Sequence, residues 1–318
     1  MSGLIIFAAL ICSASIVRAA ESPGVISEPL VRAHMEFLAS DALSGRGSGT
    51  RDEWIAATYI GSQFRRIGLA PLGDAGGYVQ RVQIPPRSGK GAPSVTWNVL
   101  ASLPGSDPKR AAEVILLSAH LDHLGVAKEG GDRIYNGADD DASGTTAVLA
   151  LAEALARGER LQRTVLFVLF GSEELGGLGS QWVVEHPPVP LERIIANLEF
   201  EMIGRPDPKV AAKTLWLTGW ERSDLGPRLA AHGARLVADP HPDQNFFMRS
   251  DNIVLARRGV IAQTVSSFGL HREYHQPTDD LAHIDFAHMT EAIESMVGSV
   301  RWLASSGFRP QWRPGGRP

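Results

Sequence analysis

The chain has 318 residues, of which 44% are hydrophobic and 21% are charged, a composition typical of a globular protein. Its net charge of -4 and its lack of lysine- or arginine-rich runs exclude a surface built to bind nucleic acid or an anionic membrane. A chain of this length favours one large domain over two small ones.

The first twenty residues have the pattern of a signal peptide. An apolar run extends from Leu4 to about Val17, and small residues suited to cleavage follow at Ala19 and Ala20. The run is too short for a comfortable membrane span, although no lysine or arginine precedes it. We expect a signal peptide over residues 1–20, export to the periplasm or the medium, and no stable membrane association after cleavage. The alternative is a buried first helix.

The only cysteine, Cys12, lies inside this segment. The mature protein would therefore contain no thiol, no disulfide and no cysteine metal ligand. Any metal ion would have to be held by histidine, aspartate and glutamate side chains.

Two helices are predicted at the start of the mature protein, in "SEPLVRAHMEFLASDAL" and "TRDEWIAATYIGSQFRRIGL". Thr50 and Glu53 form a capping-box pattern at the start of the second helix, and Gly68 marks its end. A stretch rich in glycine and proline follows from about 70 to 110, with one predicted strand in "YVQRVQI".

From residue 112 onwards, predicted strands alternate with predicted helices. The strands are "AEVILLSAH", "RTVLFVLFG", "RIIANLEFEMIG", "TLWLTGW" and "GVIAQTVSSF", and a long helix in "FAHMTEAIESMVGSVRWLASS" closes the series. This alternation predicts an α/β fold with a mostly parallel central sheet and helices on both faces. We expect a single domain over 24–307, with N-terminal helices in 24–70, the core sheet in 112–307 and a disordered tail over 308–318.

Histidines and acidic residues follow the carboxyl ends of the predicted strands, where α/β sheets bind their ligands. Singly, each would be a loop residue or a helix cap. Together, they would repel one another at one sheet edge unless a cation lay among them. Carboxylates and imidazoles without thiolate suit zinc best, with cobalt or manganese possible, and their number favours two ions that share a carboxylate. The residues are His120, Asp122, the three aspartates Asp139 to Asp141, Glu173, Glu174, Glu201 and His275.

These motifs resemble the co-catalytic di-zinc aminopeptidases of metallopeptidase family twenty-eight. The matching stretches are "SAHLDHLG", "NGADDDASGTTAVLALAEAL", "LFGSEELGGLGS", "NLEFEMIGRP" and "RSDNIVLARRGVIA" followed by "YHQPTDD", within about residues 26–305. The resemblance implies the zinc-dependent exopeptidase (phosphorylase/hydrolase-like) fold, which glutamate carboxypeptidase and glutaminyl cyclase share. It also implies two Zn²⁺ per chain and peptide substrates with a free N-terminus.

Five zinc ligands are implied by this resemblance. Asp140 would bridge the two ions, and its peptide bond to Asp141 would be cis. Glu201 stands where the family more often has aspartate, and Glu199 is its rival for that position. His120 would bind one ion. Glu174 and His275 would complete the other.

The resemblance also implies roles for residues around the ions. Glu173 matches the general base that activates a water molecule. Tyr274 would stabilise the oxyanion, or alternatively would only pack beside the ligand loop. Asp122 would orient the His120 imidazole. Asp141 would hold the turn and cap the next helix.

Three neighbouring residues receive no metal role. His123 and His271 are interpreted as parts of the pocket wall, and Asp139 as a solvated turn residue. The implied function is hydrolysis of the N-terminal peptide bond. The alternatives are a carboxypeptidase, which a cluster of Arg205, Arg249 and Arg272 would favour, a glutaminyl-cyclase-like enzyme with one zinc, or a non-catalytic receptor-type domain.

Overall fold

The computed structural model describes residues 25–84 and 94–318, so the predicted signal peptide lies outside the described residues. The helices in these ranges are α1 (Glu28–Leu38), α2 (Arg51–Ile67), α3 (Gly144–Arg157), α4 (Leu178–Glu185), α5 (Leu225–Ala231), α6 (Asn252–Arg257) and α7 (Phe286–Ser305). The strands are β1 (Ala70–Pro71), β2 (Val79–Ile84), β3 (Ser94–Leu103), β4 (Val114–His120), β5 (Gly125–Val126), β6 (Ile134–Tyr135), β7 (Thr164–Phe170), β8 (Ile194–Phe200), β9 (Leu215–Leu217), β10 (Leu236–Ala238) and β11 (Ala262–Ser266).

One large sheet forms the centre of the fold, in the order β1-β3-β7-β4-β8-β11-β9-β10, with β2 also paired to β3. Its middle strands β7, β4, β8 and β11 are parallel, as the alternating pattern predicts. Towards the edges, β3 is antiparallel to β7 and β9 is antiparallel to β11. The α/β class is therefore confirmed, and the sheet as a whole is mixed.

Both faces of the sheet are covered, because successive side chains of a strand point to opposite faces. In β4, Ile115 and Leu117 belong to the larger apolar cluster, which includes residues of α1, α2, α3 and α7. Leu116, between them, belongs to a second cluster with residues of α4 and α6. This burial on both sides explains the continuous apolar run of β4 from Val114 to Leu117. No helix within 25–84 and 94–318 is long and apolar enough to cross a membrane.

The boundaries of α2 follow the capping signals in the sequence. Thr50 Oγ1 accepts a hydrogen bond from the Glu53 backbone N–H, and the Glu53 carboxylate accepts one from the Gly49 N–H. Gly68 ends the helix with φ 85°, a left-handed conformation that glycine adopts without a Cβ penalty. The predicted cap residues thus set both ends of this helix.

The C-terminal segment corrects one prediction. Residues 308–318 were expected to be disordered because they are rich in proline, glycine and arginine. In the structure, Trp312 packs against both apolar clusters, and its indole N–H donates to the Gly259 carbonyl oxygen at 3.2 Å. The Arg313 N–H donates to the Arg222 carbonyl at 2.8 Å. Packing of Trp312 and Phe308 on the core, together with these hydrogen bonds, holds this otherwise polar segment in place.

Candidate metal centre

The ends of four adjacent strands bring the predicted residues together. His120 is the last residue of β4, and Glu201 directly follows β8. Glu173 and Glu174 lie in the turn after β7, and His275 lies in the loop that follows β11. Because β7, β4, β8 and β11 are parallel neighbours, their carboxyl ends meet at one edge of the sheet.

The first group that could hold a metal consists of His120, Asp140 and Glu201. His120 Nε2 lies 3.1 Å from Asp140 Oδ1. Glu199, the rival of Glu201, instead accepts hydrogen bonds from the Asn252 N–H at 2.7 Å and from a threonine hydroxyl. The geometry therefore favours Glu201 for the ligand position.

The second group consists of His123, Asp140 and Glu174, so Asp140 belongs to both groups. His123 Nδ1 lies 2.8 Å from Glu174 Oε1. His275 Nε2 approaches the same two carboxylates, at 3.1 Å from Asp140 Oδ2 and 3.4 Å from Glu174 Oε2. The sequence interpretation of His123 as pocket wall needs correction, because its ring faces the carboxylates.

Nitrogen and oxygen atoms of both groups face one another without forming hydrogen bonds, as the ligands of a metal ion do. Among the described residues, His120 Nε2, His123 Nδ1 and Glu174 Oε1 are buried and have no hydrogen-bond partner. Ligands about 2.1 Å from a tetrahedral zinc ion lie about 3.4 Å apart, close to the separations seen here. The residues present therefore fit zinc.

The charge balance of the site also favours a cation. Burial raises the pKa of the Glu173 carboxyl well above its usual value, against the His120 ring and with the help of Asp251 and Glu201. Burial likewise raises the pKa of Glu201. For His120, burial alone would lower the pKa, but Asp122 and Asp140 outweigh it and raise that pKa well above its usual value. The carboxylates thus outnumber the positive charges available to them.

The turn that carries Asp140 is held by hydrogen bonds on every side. Its peptide bond to Asp141 is cis, as expected from the resemblance. The Asp141 carboxylate accepts from the N–H groups of His120, Gly144 and Met202 at 2.9 to 3.2 Å. Asp141 thus caps α3, as the sequence interpretation proposed.

Asp139 corrects another interpretation, because it is fully buried rather than solvated. Its carboxylate accepts from the Gly204 N–H at 2.7 Å and lies 2.8 Å from His271 Nε2. The Asp279 carboxylate in turn accepts from the N–H groups of Asp139 and Asp140. The three adjacent aspartates therefore have different partners, which explains how they are accommodated together.

Residues 98–300 match the Peptidase family M28, which is well over half of the chain. The chain belongs to peptidase family M28. It is 30% identical over 202 residues to leupeptin-inactivating enzyme 1 of Streptomyces exfoliatus, covering 63% of this chain and 41% of that protein. It is 31% identical over 217 residues to aminopeptidase YwaD of Bacillus subtilis, covering 63% and 43%. The chain thus spans less than half of the length of these relatives.

Among solved structures, the zinc aminopeptidase BSAP from Bacillus subtilis superposes with a TM-score of 0.67. The match covers 88% of this chain and 96% of that chain at 17% sequence identity, which shows the fold. The resemblance expected from the sequence motifs is therefore confirmed for both the family and the fold.

The Asp122 carboxylate does not contact the His120 imidazole in the way that the resemblance implies. His120 Nδ1 lies 3.2 Å from the Asp122 carbonyl oxygen and 3.8 Å from its carboxylate. The carboxylate instead accepts from the N–H groups of Glu173 at 3.0 Å and Glu174 at 3.4 Å, and from the Ser48 hydroxyl. Its backbone orients the imidazole, and its side chain holds the turn that carries the two glutamates.

A cavity opens beside the two groups. Glu173, Tyr274 and His275 line it on one side, and the Tyr274 ring stacks on the His275 ring with centroids 3.9 Å apart. The cavity is also lined by three aromatic side chains, Trp216, Phe246 and Phe268, and the Phe268 ring lies 5.2 Å from the Tyr274 ring. The site therefore combines a polar floor with an apolar wall.

The three arginines that could bind the carboxylate of a substrate lie in different surroundings. Arg205 and Arg272 both contact Glu273, at 2.9 and 3.1 Å. Arg249 alone lines the cavity, with its Cζ atom 4.8 Å from the centre of the Phe246 ring. The three arginines therefore do not form at the cavity the cluster that would favour a carboxypeptidase.

Proposed function

We propose that this chain is a zinc aminopeptidase that binds two Zn²⁺ ions and hydrolyses the N-terminal peptide bond of peptides. The proposal rests mainly on one observation: two buried sets of imidazole and carboxylate groups share Asp140 beside a cavity that Glu173 lines. His120, Asp140 and Glu201 would hold one ion. Asp140, Glu174 and His275 would hold the other.

The chemistry follows from what each group offers. Zinc ions bound here would supply Lewis acidity, which polarises the scissile carbonyl and lowers the pKa of a water molecule. Glu173 is the free carboxylate on the cavity wall, so it accepts the proton of the attacking water and donates it to the leaving amine. Asp122 holds the backbone of Glu173 in place for this transfer.

Tyr274 would assist at the carbonyl oxygen. Burial raises the pKa of its phenol, so the group stays protonated at neutral pH and can donate a hydrogen bond. Its stacking on His275 fixes the ring beside the cavity, which also supports the packing role. A Tyr274→Phe variant separates the two, because it keeps the ring and removes the donor.

The substrate would be a peptide with a free amino terminus. Excess carboxylate at the cavity floor favours a positively charged amine over a carboxylate. The aromatic wall favours an apolar first side chain. Membership of family M28 and the aminopeptidase among the relatives agree with this assignment.

Arg249 supports a second candidate, a carboxypeptidase. No carboxylate of residues 25–84 or 94–318 lies within 4.0 Å of its guanidinium, so a substrate carboxylate could bind there. A single arginine without Arg205 and Arg272 makes this the weaker candidate. A glutaminyl-cyclase-like enzyme would use similar positions and is distinguished by one bound zinc per chain instead of two. A receptor-type domain would have no need of Glu173 as a base.

A panel of aminoacyl-anilides tests the proposal, assayed with and without chelator and alongside zinc content by mass spectrometry. We expect two zinc ions per chain, cleavage of leucyl- and phenylalanyl-anilides in preference to aspartyl-anilide, and loss of cleavage with chelator. N-acetylated peptides with a free carboxyl terminus serve as the control for a carboxypeptidase. Cleavage that resists chelator, or cleavage of the acetylated peptides alone, would contradict the proposal.

Export also belongs to this proposal. The signal-peptide pattern of residues 1–20 would direct the enzyme to the periplasm or the medium, where it meets peptides. Fractionation of cells that express the full chain tests this, with the mature N-terminus determined by sequencing. Recovery of an uncleaved chain in the cytoplasm would refute export.

A further inference from the structure

His123 is a buried histidine whose ring makes no hydrogen bond. Its exposed fraction is 1%, and neither ring nitrogen has a hydrogen-bond partner among the described residues. Burying such a polar ring without partners costs free energy. The described protein atoms therefore provide no hydrogen bond that would offset the cost of burying this ring.

The ring nitrogen Nδ1 is aimed at the second group of metal-binding atoms. It lies 2.8 Å from Glu174 Oε1 and 3.9 Å from Asp140 Oδ2. Glu174 Oε1 is also buried without a hydrogen-bond partner, so the short approach lacks the alignment of a hydrogen bond. Two such atoms facing each other are the arrangement expected around a shared cation.

The chain provides a fitted place for this ring. Gly137 has φ 56°, and a Cβ atom there would lie 2.5 Å from His123 Cγ. The His123 N–H donates to the Arg46 carbonyl oxygen at 3.2 Å, and the Arg46 guanidinium donates to the Gly137 carbonyl oxygen at 2.9 Å. One residue thus fixes both the histidine and the glycine that makes room for it.

We propose that His123 is a further ligand of the zinc ion held by Asp140 and Glu174, in addition to His275. This inference rests on the proposed two-zinc function and adds to its ligand set. The ion would then have four protein ligands, whereas the ion at His120, Asp140 and Glu201 would have three. Zinc with four protein ligands is closed, and zinc with three keeps an open position. The two ions would therefore have different tasks. The ion bound by His123 and Glu174 would anchor the site, and the ion bound by His120 and Glu201 would offer the coordination position for the reaction.

Metal binding in variants of the full-length enzyme tests the inference. We expect zinc-loaded wild type to retain two ions after dialysis against a competing chelator, and His123→Ala to retain one, with its affinity reduced at least ~100-fold. His123→Asn replaces the ring by an amide that can still donate to Glu174. If His123 only oriented Glu174 by a hydrogen bond, Asn would restore the second ion and the inference would be wrong.

His34→Ala is the matched control, because His34 is also buried but bonds to Tyr59 away from the site. We expect it to retain both ions. Circular dichroism of the metal-free proteins shows whether each variant is folded. A His123→Ala protein that keeps both ions at wild-type affinity would overturn the inference while leaving the two-zinc function intact. Wild type with fewer than two ions would instead overturn the proposed function itself.

A crystal structure of the zinc-loaded wild type tests the inference without any substitution. We expect His123 Nδ1 within about 2.2 Å of the ion that Glu174 binds. A separation of more than about 3 Å in that crystal would refute ligation even if no variant folds.

Discussion

Glu173 and Glu174 are neighbours in sequence, but their side chains face different partners. Glu174 lies among the atoms that could bind metal, next to His123 and His275. Glu173 lines the cavity and belongs to neither metal group. Asp122 accepts hydrogen bonds from both backbone N–H groups, which keeps the two side chains apart. Adjacent glutamates can thus serve as ligand and base.

Removing the acidity of each glutamate separates these roles. We expect Glu173→Gln to keep both zinc ions and to lower kcat about 10²- to 10⁴-fold, the usual contribution of a general base. Glu174→Gln should instead lose one zinc ion, because an amide is a weaker ligand than a carboxylate. Steady-state kinetics and zinc content measure both effects. Full activity in Glu173→Gln with normal zinc would disprove its role as base.

The sequence named most of the residues that the structure brings together at this sheet edge, and the residues that it misjudged have physical causes. His120, Asp140 and Glu201 follow predicted strands, so the topology alone places them together. His123 was interpreted as pocket wall because a histidine three residues after His120 carries no periodic signal for its direction. Asp139 was misjudged because turn aspartates are usually solvated, and only the fold shows His271 beside it.

The turn before α3 depends on a glycine. A Cβ on Gly137 would lie 2.2 Å from the Asp140 carbonyl oxygen as well as against His123. Gly68 has a similar left-handed backbone with φ 85°, but nothing lies within 4 Å of a Cβ there. A comparison of substitutions at Gly137 and Gly68 therefore separates the effect of backbone strain from the effect of crowding.

We expect Gly68→Ala to lower the free energy of unfolding by about 1 kcal/mol, the low end of the cost of a left-handed non-glycine residue. Gly137→Ala should cost at least about 2 kcal/mol more, because crowding adds to strain. It should also weaken zinc binding, which Gly68→Ala leaves unchanged. Urea unfolding and zinc titration measure both. Equal losses in the two variants would show that crowding at Gly137 is relieved without consequence.

The elements themselves were predicted unequally well. Apolar runs such as β4 and β7 were found because both faces of those strands are buried. The strand β3 was missed within the stretch rich in glycine and proline, although it joins β2 to β7 in the sheet. Very short elements such as β10 and α6 carry too few residues for a periodic signal.

The C-terminal segment gives a prediction about Trp312. Its ring contacts both apolar clusters, so Trp312→Ala should lower the free energy of unfolding by about 1 to 3 kcal/mol. Arg313→Ala is the matched control, because that side chain is exposed and its N–H still donates to Arg222. Thermal unfolding measures both. If the Trp312→Ala variant unfolded at the same temperature as wild type, the segment would not contribute to stability.

The central sheet gathers acidic side chains at one edge, and the histidines beside them offset this negative charge only in part. Burial raises the pKa of Asp251 to about 7 and that of Asp279 to about 8. For His275, burial would lower the pKa, but Asp140 and Glu174 raise it to about 10. Asp251, Asp279 and His275 therefore bind protons more readily in the folded metal-free chain than in the unfolded one, where aspartate has a pKa near 3.9. Asp140 and Glu174 bind them less readily, because the neighbouring histidines outweigh burial and lower the pKa of both carboxyls.

This proton uptake gives the metal-free enzyme an unusual dependence on pH. Asp251, Asp279 and His275 keep protons in the folded chain between about pH 5 and pH 8, where Asp140 and Glu174 are largely ionised in both states. The free energy of unfolding therefore falls as pH rises through that window. In the zinc-loaded enzyme, protons compete with zinc for the same groups, so stability should rise with pH over the same window. His34, whose pKa burial lowers to about 4, favours the folded state at higher pH in both forms and cancels when the two are compared. Urea unfolding at pH 5, 6, 7 and 8, with zinc and with chelator, measures both slopes. Parallel slopes would mean that the carboxylates at the sheet edge do not need a cation to stay ionised.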